Sequence, residues 1–458
     1  MKTIVAISTP TASGGGVAML RISGDDALTV AGKVFMPYNN KPVTEMEGYT
    51  AAYGKIKDGN IELDDGVLLI YLNPKSYTGE DVAEITCHGG IYVARRVLQA
   101  CINAGAALAN AGDFTKRAVL NGKMTLTQAE SVIDVINSIN DQYLSCSNAQ
   151  KSGSLYRKIE QIAAQILTVS SHIAAWIDYP DEGLDHFEIS SHIGQLSDCR
   201  LQLSLLLKTY DIASIMREGI VTSIVGKPNA GKSTLMNLLT RRERSIVTDI
   251  PGTTRDIIED TVNMGEGIIL KLCDCAGIRE TDDKIEQIGI EYMYRQIENS
   301  SLILAVFDNS CPLEKDDYAL IERIDAKNSI CVINKTDLPN ALDLTILSTR
   351  FKHVVQICAK SQDSLESLAT VIKKVSDVNS LDLSAGFIAN ERQRICVIEA
   401  EELLTRAING MESSFEKAPL DATGFLLENT LEALYRLSGK SVSAEIIDEV
   451  FKNFCVGK

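Results

Sequence analysis

One short segment of the chain, residues 226–233, has the pattern G-x4-G-K-S. Glycines at this spacing let backbone N–H groups approach phosphate oxygens, and the start of a helix favours their negative charge. Lys232 would then reach the β- and γ-phosphates of a nucleotide, and Ser233 would bind Mg²⁺. The segment lies between the apolar run 219–225 and the helix pattern 233–239, as such a loop requires. For this pattern alone, a glycine-rich turn without a ligand stays the alternative.

Four further segments supply what a guanine nucleotide needs. Thr254, in GTTRD, can complete the Mg²⁺ shell, while Asp274, in DCAG, supports the ion through water and Gly277 N–H meets the γ-phosphate. Asp337, in NKTD, can accept hydrogen bonds from guanine N1–H and N2–H₂ together, a pattern that adenine lacks. Residues 358–360, Cys-Ala-Lys, stand where Ser-Ala-Lys is usual, and a backbone N–H is expected to make the contact there. The set predicts GTP rather than ATP.

The residue after the DCAG segment departs from the pattern of Ras-like GTPases. Those proteins use a glutamine there to orient the attacking water, whereas this chain has Ile278, which cannot hydrogen-bond through its side chain. Hydrolysis therefore needs another group to orient water and another source of positive charge. Glu286, in the polar run 279–287, is a candidate for the first role. A solvated helix face is the alternative for that run.

Charge, cysteine usage and hydropathy limit the partners and the location. Lys and Arg (45) against Asp and Glu (61) leave a net charge of −16, which disfavours a broad grip on nucleic acid by this chain itself. The 11 cysteines are scattered without a CxxC pair, as expected of reduced thiols in a cytoplasmic protein. No run reaches the ~18 apolar residues of a membrane span. His88 beside Cys87 offers too few ligands for a metal, so a hydrogen-bonded loop histidine is expected.

The 458 residues are enough for about three domains, and the apolar periodicity divides the chain. Residues 1–120 show strand patterns such as TIVAI and VAMLRI and indicate an α+β domain. Residues 121–216 are helical in period, with a long helix predicted over 154–178. Residues 217–378 alternate strands and helices, which predicts an α/β domain with a doubly wound sheet. Because 379–458 is helical again, the α/β domain is expected to be inserted into an all-α domain.

Six segments spread along the chain are distinctive: LRISG (20–24), SYTGEDVAEITCHGG (76–90), GDFTKRAVLNGKMTLTQAE (112–130), GKPNAGKSTLMN (226–237), DIPGTTRD (249–256) and FCVGK (454–458). With them the chain resembles the MnmE (TrmE) family of tRNA modification GTPases. The second and third segments are the most specific, because ordinary GTPases have nothing like them. The resemblance implies an α/β P-loop G domain inserted in an all-α helical domain. An α+β N-terminal domain similar to tetrahydrofolate-binding domains would precede both.

The resemblance also implies a reaction and partners. GTP hydrolysis would accompany addition of a carboxymethylaminomethyl or aminomethyl group to C5 of the wobble uridine of certain tRNAs. A tetrahydrofolate derivative, 5-formyl- or 5,10-methylene-, would supply carbon, and the FAD-dependent MnmG (GidA) would share the chemistry. The N-terminal domain would mediate a homodimer, and MnmG would join it in a heterotetramer.

Residues of the GTPase site follow from the same resemblance. The family's K⁺ site maps to Asn229, with Thr248, Ile250 and Thr253, and a K⁺ beside the β/γ bridge would supply the charge that an arginine finger gives elsewhere. The water-orienting glutamate maps to Glu286. The implied GTP contacts are Asn229, Ala230, Gly231, Lys232, Ser233, Thr234, Thr248, Asp249, Ile250, Pro251, Gly252, Thr253, Thr254, Asp274, Cys275, Ala276, Gly277, Asn334, Lys335, Asp337, Cys358, Ala359 and Lys360.

The folate contacts implied by the resemblance are Arg21, Glu80, Lys123 and Lys458. Arg21 and Lys123 suit the glutamate carboxylates of a folate, and Glu80 suits the N–H edge of its pterin. Solvated charges on loops are the alternative. Cys455 matches a family cysteine proposed to act in the modification, which as a nucleophile needs a lowered pKa. A packing role for Cys455 is the alternative.

A switch GTPase that docks RNA or assists ribosome assembly, without modification chemistry, is the second hypothesis. Such proteins usually carry an RNA-binding appendage, such as a KH domain with its GXXG loop, or a basic tail. The sequence shows neither, so the modification GTPase is preferred. A membrane-remodelling GTPase is disfavoured because no basic amphipathic or apolar anchor is present.

Overall fold

The structure, a computed structural model, describes residues 1–10, 15–178, 189–240, 258–265, 267–273, 297–298, 300–324, 328–376, 382–412, 420–441, 450–451, 454 and 457. The chain divides into two compact units. One comprises Met1–Ile136, Gln150–Leu201 and Ile395–Lys458, and the other comprises Asn137–Ala149 and Gln202–Arg394. Within the described ranges, every helix is too short or too polar to cross a membrane.

The first unit contains a seven-stranded sheet made of β1 (Ile4–Ile7), β2 (Val17–Ser23), β3 (Phe35–Pro37), β4 (Thr50–Asp58), β5 (Ile61–Tyr71), β6 (Val82–His88) and β7 (Ala107–Leu108). Their order is β3-β4-β5-β6-β2-β1-β7. Helices α1 (Ala27–Val34) and α2 (Ile91–Asn103) pack against it. Leu20 and Ile22 on β2 are fully buried in the core with these helices. Because side chains alternate along a strand, Arg21 points to the opposite face.

The other regular elements that the structure describes in the first unit are helices. Its helices, wholly or in part, are α3 (Asp113–Leu120), α4 (Leu126–Ile136), α6 (Ser154–Asp178), α7 (Ile189–Glu218), α12 (Glu391–Glu412) and α13 (Leu420–Ser438). Buried side chains on α6 recur at steps of three and four residues: Leu155, Ile159, Ile162, Ile166, Val169 and Ile173. Such a stripe is what a helix buries against its neighbours, and α6 packs against α4 and α13. The helix predicted over 154–178 is confirmed at both ends.

The second unit contains a six-stranded sheet made of β8 (Ile220–Val225), β9 (Ile258–Gly265), β10 (Ile268–Cys273), β11 (Leu302–Asp308), β12 (Ser329–Asn334) and β13 (His353–Gln356). The order is β13-β12-β11-β8-β10-β9, and only β9 runs antiparallel to its neighbour. Every residue of β11 and β12 is buried, as expected for parallel strands covered on both faces. The predicted alternation of strands and helices is confirmed, while the edge strand β9 was not predicted.

Helices on both faces of this sheet form two cores. They are α5 (Asp141–Lys151), α8 (Lys232–Thr240), α9 (Lys315–Arg323), α10 (Leu344–Arg350) and α11 (Asp363–Ser376). Leu304 of β11 packs in the cluster that includes α8 and α11, whereas Phe307 packs in the cluster of α9 and α10. The first cluster also includes Tyr143 and Phe387, which lie beyond the limits predicted for the α/β domain. Parallel strands end at one edge of the sheet, so the loops after β8, β11 and β12 meet there.

Candidate functional site

The loop between β8 and α8 adopts a shape that two glycines make possible. A Cβ at Gly226 would lie 2.4 Å from the carbonyl oxygen of Val306, and a Cβ at Gly231 would lie 2.1 Å from Nδ2 of Asn334. Both distances are far below a van der Waals contact, so neither position admits a side chain. Asn229 has a φ of 64° and is exposed at the outer bend of the loop. The two glycines therefore allow the loop to pack closely against the end of β11 and against Asn334, which holds its backbone in place.

Lys232, the first residue of α8, crosses the loop that precedes it. Its Nζ donates hydrogen bonds to the carbonyls of Gly226 and Lys227, each at 2.8 Å. Ser233 and Thr234 follow in the first helical turn, and both are exposed. A positive charge held above a helix N-terminus, with exposed hydroxyls beside it, suits a polyphosphate and its magnesium ion.

Asn334, the last residue of β12, joins the phosphate-binding loop to the loop at 358–360. Its Nδ2 donates to the Ala230 carbonyl at 2.9 Å, and its Oδ1 accepts from Ala359 N at 3.0 Å. Asn334 is only 2 % exposed. One buried side-chain amide thus donates a hydrogen bond to one loop and accepts a hydrogen bond from the other, which fixes the distance between them. Sequence analysis predicts Asn334 as a nucleotide contact but does not predict that it bridges the two loops.

Asp337 lies where its carboxylate can meet a ligand. The side chain is 39 % exposed, and its Oδ1 is 3.4 Å from Cys358 Sγ, while Oδ2 is 3.9 Å from Lys360 Nζ. The thiol at 358 therefore takes the hydrogen-bonding place beside the carboxylate that a serine hydroxyl would fill. The structure brings together the predicted residues Asp337, Cys358 and Lys360.

The side chain of Lys335, in the NKTD segment, is directed to Asp308 at the end of the neighbouring strand β11. With a φ of 65°, Lys335 directs Nζ to Asp308 Oδ2 at 2.6 Å. Burial alone would raise the pKa of Asp308, but the bonds from Lys335 and Ser310 outweigh it and hold the pKa below the ordinary value. Asp308 was missed by sequence analysis, although its position at the end of an apolar strand was a usable signal.

Two backbone donors of the loop at 358–360, the N–H groups of Cys358 and Ala359, are engaged within the protein. Cys358 N donates to Ser364 Oγ at 2.9 Å, and Ala359 N donates to Asn334. A guanine oxygen that takes a hydrogen bond from Ala359 N must therefore share it with Asn334. This competition was not foreseen from the sequence.

Several predicted residues lie outside the described ranges. They are the switch residues and DCAG segment, the glutamate and the C-terminal pair: Thr248, Asp249, Ile250, Pro251, Gly252, Thr253, Thr254, Asp274, Cys275, Ala276, Gly277, Glu286, Cys455 and Lys458. Their roles stay predictions.

In the first unit, Arg21 on β2 lies beside one carboxylate and two aromatic rings, on the face of the sheet opposite to Leu20 and Ile22. Its Nε donates to Glu84 Oε1 at 2.8 Å, and its guanidinium carbon is 5.2 Å from the ring centre of Tyr77 and 5.7 Å from that of Phe114. Its Nη1 lies 3.5 Å from the Gly457 carbonyl. Glu84 was not predicted; it lies directly across from Arg21 in the β2–β6 register.

Glu80 is a buried, paired carboxylate rather than a solvated charge. Its Oε2 accepts from Ser23 Oγ and from Arg117 Nη1, both at 2.8 Å. Arg117 was missed, because only the fold brings α3 beside the residues that precede β6. Lys123 packs against the same segment, since a Cβ at Gly79 would lie 3.1 Å from Lys123 Cγ, and its Nζ donates to the Pro74 carbonyl at 3.0 Å.

His88 is the last residue of β6, so the expectation of a loop position was wrong, whereas its hydrogen bond is confirmed. Nδ1 lies 2.8 Å from Asp64 Oδ1, and His88 N donates to Asp64 Oδ2 at 2.7 Å. Asp65 also has a carboxylate oxygen near the pair. Asp64 is engaged by His88, and Asp65 by the hydroxyl of Tyr53, so we assign no metal to this group.

Two family profiles match the chain: "GTP-binding protein TrmE N-terminus" over residues 3–123 and "MnmE helical domain" over residues 126–455. The tRNA modification GTPase MnmE of Clostridioides difficile (strain 630) is 37 % identical over 460 residues, covering 100 % of this chain and 99 % of that protein. The chain belongs to the MnmE family of tRNA modification GTPases. The MnmE of Caldicellulosiruptor saccharolyticus is 38 % identical over 460 residues, with 100 % and 99 % covered.

Solved structures show a weaker likeness. Era of Aquifex aeolicus bound to GDP.AlF4- is 25 % identical, covering 40 % of this chain and 66 % of that one, with a TM-score of 0.26. At that score the likeness supports no assignment. The family assignment rests on the MnmE relatives. As a member of the family, the chain is a GTP hydrolase that acts in tRNA modification, with GTP and Mg²⁺ as ligands.

Proposed function

We propose that this MnmE-family protein is a K⁺-activated GTPase that works with FAD-dependent MnmG (GidA) on certain tRNAs. Together they would install the carboxymethylaminomethyl or aminomethyl group at C5 of the wobble uridine, with carbon from tetrahydrofolate. The observation that carries the GTPase half is the loop 226–231, which Asn334 braces while Lys232 crosses it. The TrmE N-terminus match over residues 3–123 supports modification over an RNA-docking switch, which needs no such domain.

At the nucleotide site, Lys232 would exchange its two backbone carbonyl partners for β- and γ-phosphate oxygens. Ser233 and Thr254 would hold Mg²⁺, and Asp274 would support it through water. Asp337 would accept from the guanine N1–H and N2–H₂, since its carboxylate is exposed and already oriented. The remaining nucleotide contacts are proposed as the family resemblance implies them.

The potassium site would include Asn229, together with Thr248, Ile250 and Thr253. Asn229 fits a cation because its left-handed backbone exposes the residue at the rim of the phosphate-binding loop. A K⁺ held by these residues would supply the positive charge that an arginine finger gives elsewhere. Glu286 would orient the attacking water, in place of the glutamine that Ile278 replaces.

The folate site would include Arg21, Glu80, Lys123 and the C-terminal Lys458. Arg21 fits an anionic ligand with flat rings, since its guanidinium lies between a carboxylate and two aromatic side chains. Lys123 is exposed and would meet a glutamate carboxylate of the folate. As 5-formyl- or 5,10-methylene-tetrahydrofolate, that folate would carry the one-carbon unit. Cys455 is proposed to act in the modification itself.

The proposed architecture is a G domain (217–378) inserted in a helical domain (121–216 and 379–458) after an N-terminal domain (1–120). Packing of α6 against α13 supports a helical domain built from both flanks. We further propose a homodimer, a heterotetramer with MnmG, tRNA as substrate and a cytoplasmic location.

Reconstitution of the reaction tests the proposed function. Purified protein, FAD-loaded MnmG, tRNA, GTP, a reduced folate and an amine donor (ammonium or glycine) are incubated in KCl, and modified uridine is quantified by mass spectrometry. We expect product only when GTP, the folate and both proteins are present, and less of it in NaCl. Product formed without folate, or by a Lys232→Ala variant at the wild-type rate, would contradict the proposal.

A further inference from the structure

Lys227, the residue after Gly226 in the phosphate-binding loop, forms ion pairs at the start of helix α9. Its Nζ lies 3.2 Å from Glu314 Oε2 and 3.3 Å from Asp317 Oδ2. The same Asp317 oxygen accepts a hydrogen bond from Glu314 N at 3.0 Å, which fixes the carboxylate at the helix start. The pairs therefore connect the loop to a helix 87 residues further along the chain.

The two carboxylates differ in burial, so they differ in how firmly they hold Lys227. The Glu314 side chain is 65 % exposed, whereas that of Asp317 is 2 % exposed and that of Lys227 is 14 % exposed. Exposed ion pairs contribute little to stability, but a buried charge that loses its partner is costly. Asp317 Oδ1 is buried without a hydrogen-bond partner among the residues that the structure describes. Among the described residues, Lys227 is the cation that forms an ion pair with Asp317.

The main chain of Lys227 contacts the phosphate-binding lysine. Lys232 Nζ donates to the carbonyls of Gly226 and Lys227, and Ala230 N donates to the Lys227 carbonyl at 3.3 Å. A shift of the Lys227 backbone would therefore move both Lys232 and the turn of the loop. Groups that bind a ligand must stay within about 0.5 Å of their productive position to act well.

We propose that Lys227 is a positioning residue of the nucleotide site: held by Asp317, it fixes the phosphate-binding loop and with it the position of Lys232. Lys227 acts through the loop and does not itself touch the nucleotide. This inference rests on the nucleotide site proposed above. Loss of the pair weakens every guanine nucleotide alike and leaves the choice between guanine and xanthine unchanged, because Asp337 keeps its place.

The test uses the full-length protein and the rate at which mant-GDP dissociates from it. In Lys227→Met and in Asp317→Asn we expect dissociation roughly tenfold faster than in wild type, which corresponds to about 1.4 kcal/mol. Asp317→Asn keeps an oxygen acceptor for Glu314 N and removes the negative charge. The matched control is Asp316→Asn, which makes the same change at an exposed neighbouring residue and should leave the rate unchanged.

Two more variants separate positioning from general stability. Lys227→Arg keeps the charge and should bring the rate back towards wild type. The double variant of Lys227→Met and Asp317→Asn should lose no more than either single one, because the pair is already broken. If Asp317→Asn does not fold, Lys227→Met carries the test, since it leaves the contacts of the helix start in place.

Dissociation rates equal to wild type in Lys227→Met, with only a lower thermal midpoint, would show a purely structural pair and overturn the inference. Effects that add in the double variant would also overturn it. Failure of the wild-type protein to bind mant-GDP would instead contradict the proposed nucleotide site.

Discussion

Replacement of Asn334 by alanine removes the buried amide that joins two loops of the nucleotide site. The change deletes the bond from Nδ2 to the Ala230 carbonyl (2.9 Å) and the bond from Ala359 N to Oδ1 (3.0 Å). Ala230 and Ala359 are both buried, so each is left with an unsatisfied backbone group. At about 1–3 kcal/mol for each unsatisfied group, the arrangement in which the two loops are joined loses about 2–6 kcal/mol of stability.

Nucleotide affinity and amide exchange report this loss. Even about 2 kcal/mol corresponds to roughly thirtyfold weaker binding, and the amide of Ala359 should exchange faster in hydrogen–deuterium exchange mass spectrometry. Asn309→Ala is the matched control, because that asparagine is also buried, but its side-chain Nδ2 donates a long hydrogen bond, 3.4 Å, to the Leu338 carbonyl. Wild-type affinity together with wild-type exchange at Ala359 in Asn334→Ala would refute the bridging role.

Three other predictions concern specificity, ion dependence and pH. Asp337→Asn should lose GTP affinity and gain preference for xanthosine nucleotides in competition assays, because the acceptor for guanine N1–H is gone; unchanged GTP affinity would refute the assignment. Hydrolysis should be faster in KCl than in NaCl, and Asn229→Ala should abolish the difference; equal wild-type rates would exclude K⁺ activation. The hydrogen bond to Asp64 raises the pKa of His88 above 6.5. Burial alone would raise the pKa of Asp64, but its hydrogen bonds with His88 outweigh burial and lower that pKa below 3.8. The pair is therefore fully formed from pH 3.8 to 6.5 and weakens as pH rises through the His88 pKa. An NMR titration of His88 should show a midpoint above 6.5 that falls in Asp64→Asn; a midpoint at or below 6.5 would contradict the pairing.

The parts of the fold that could be predicted are those with a strong local pattern. The stripe along α6 repeats every three to four residues, and the strands β11 and β12 are continuous apolar runs. Strand β9 (IEDTVNMG) was not predicted, because it mixes polar and apolar residues at the sheet edge and is defined by its pairing with β10. Pairing of that kind is a property of the folded sheet rather than of the segment.

In the sites, residue types were predictable but partners were not. The G-x4-G-K-S and NKTD segments predict Lys232 and Asp337 as ligands, because phosphate and guanine require those groups at those spacings. The partners of Lys227 and Glu80 are Asp317 and Arg117, which lie far along the chain and carry no local signal. Such long-range ion pairs follow from how helices are placed on the sheet, so only the structure reveals them.

The central claim is that GTP turnover at this site serves tRNA modification. Its most direct test is mass spectrometry of tRNA nucleosides from a strain that lacks the gene, complemented with wild type or with Lys232→Ala. We predict that the deletion strain loses the C5-modified wobble uridine and that wild type restores it. Lys232→Ala, which lacks the cation above the phosphate-binding loop, should not restore it. Unchanged modification in the deletion strain, or full restoration by Lys232→Ala, would contradict the claim.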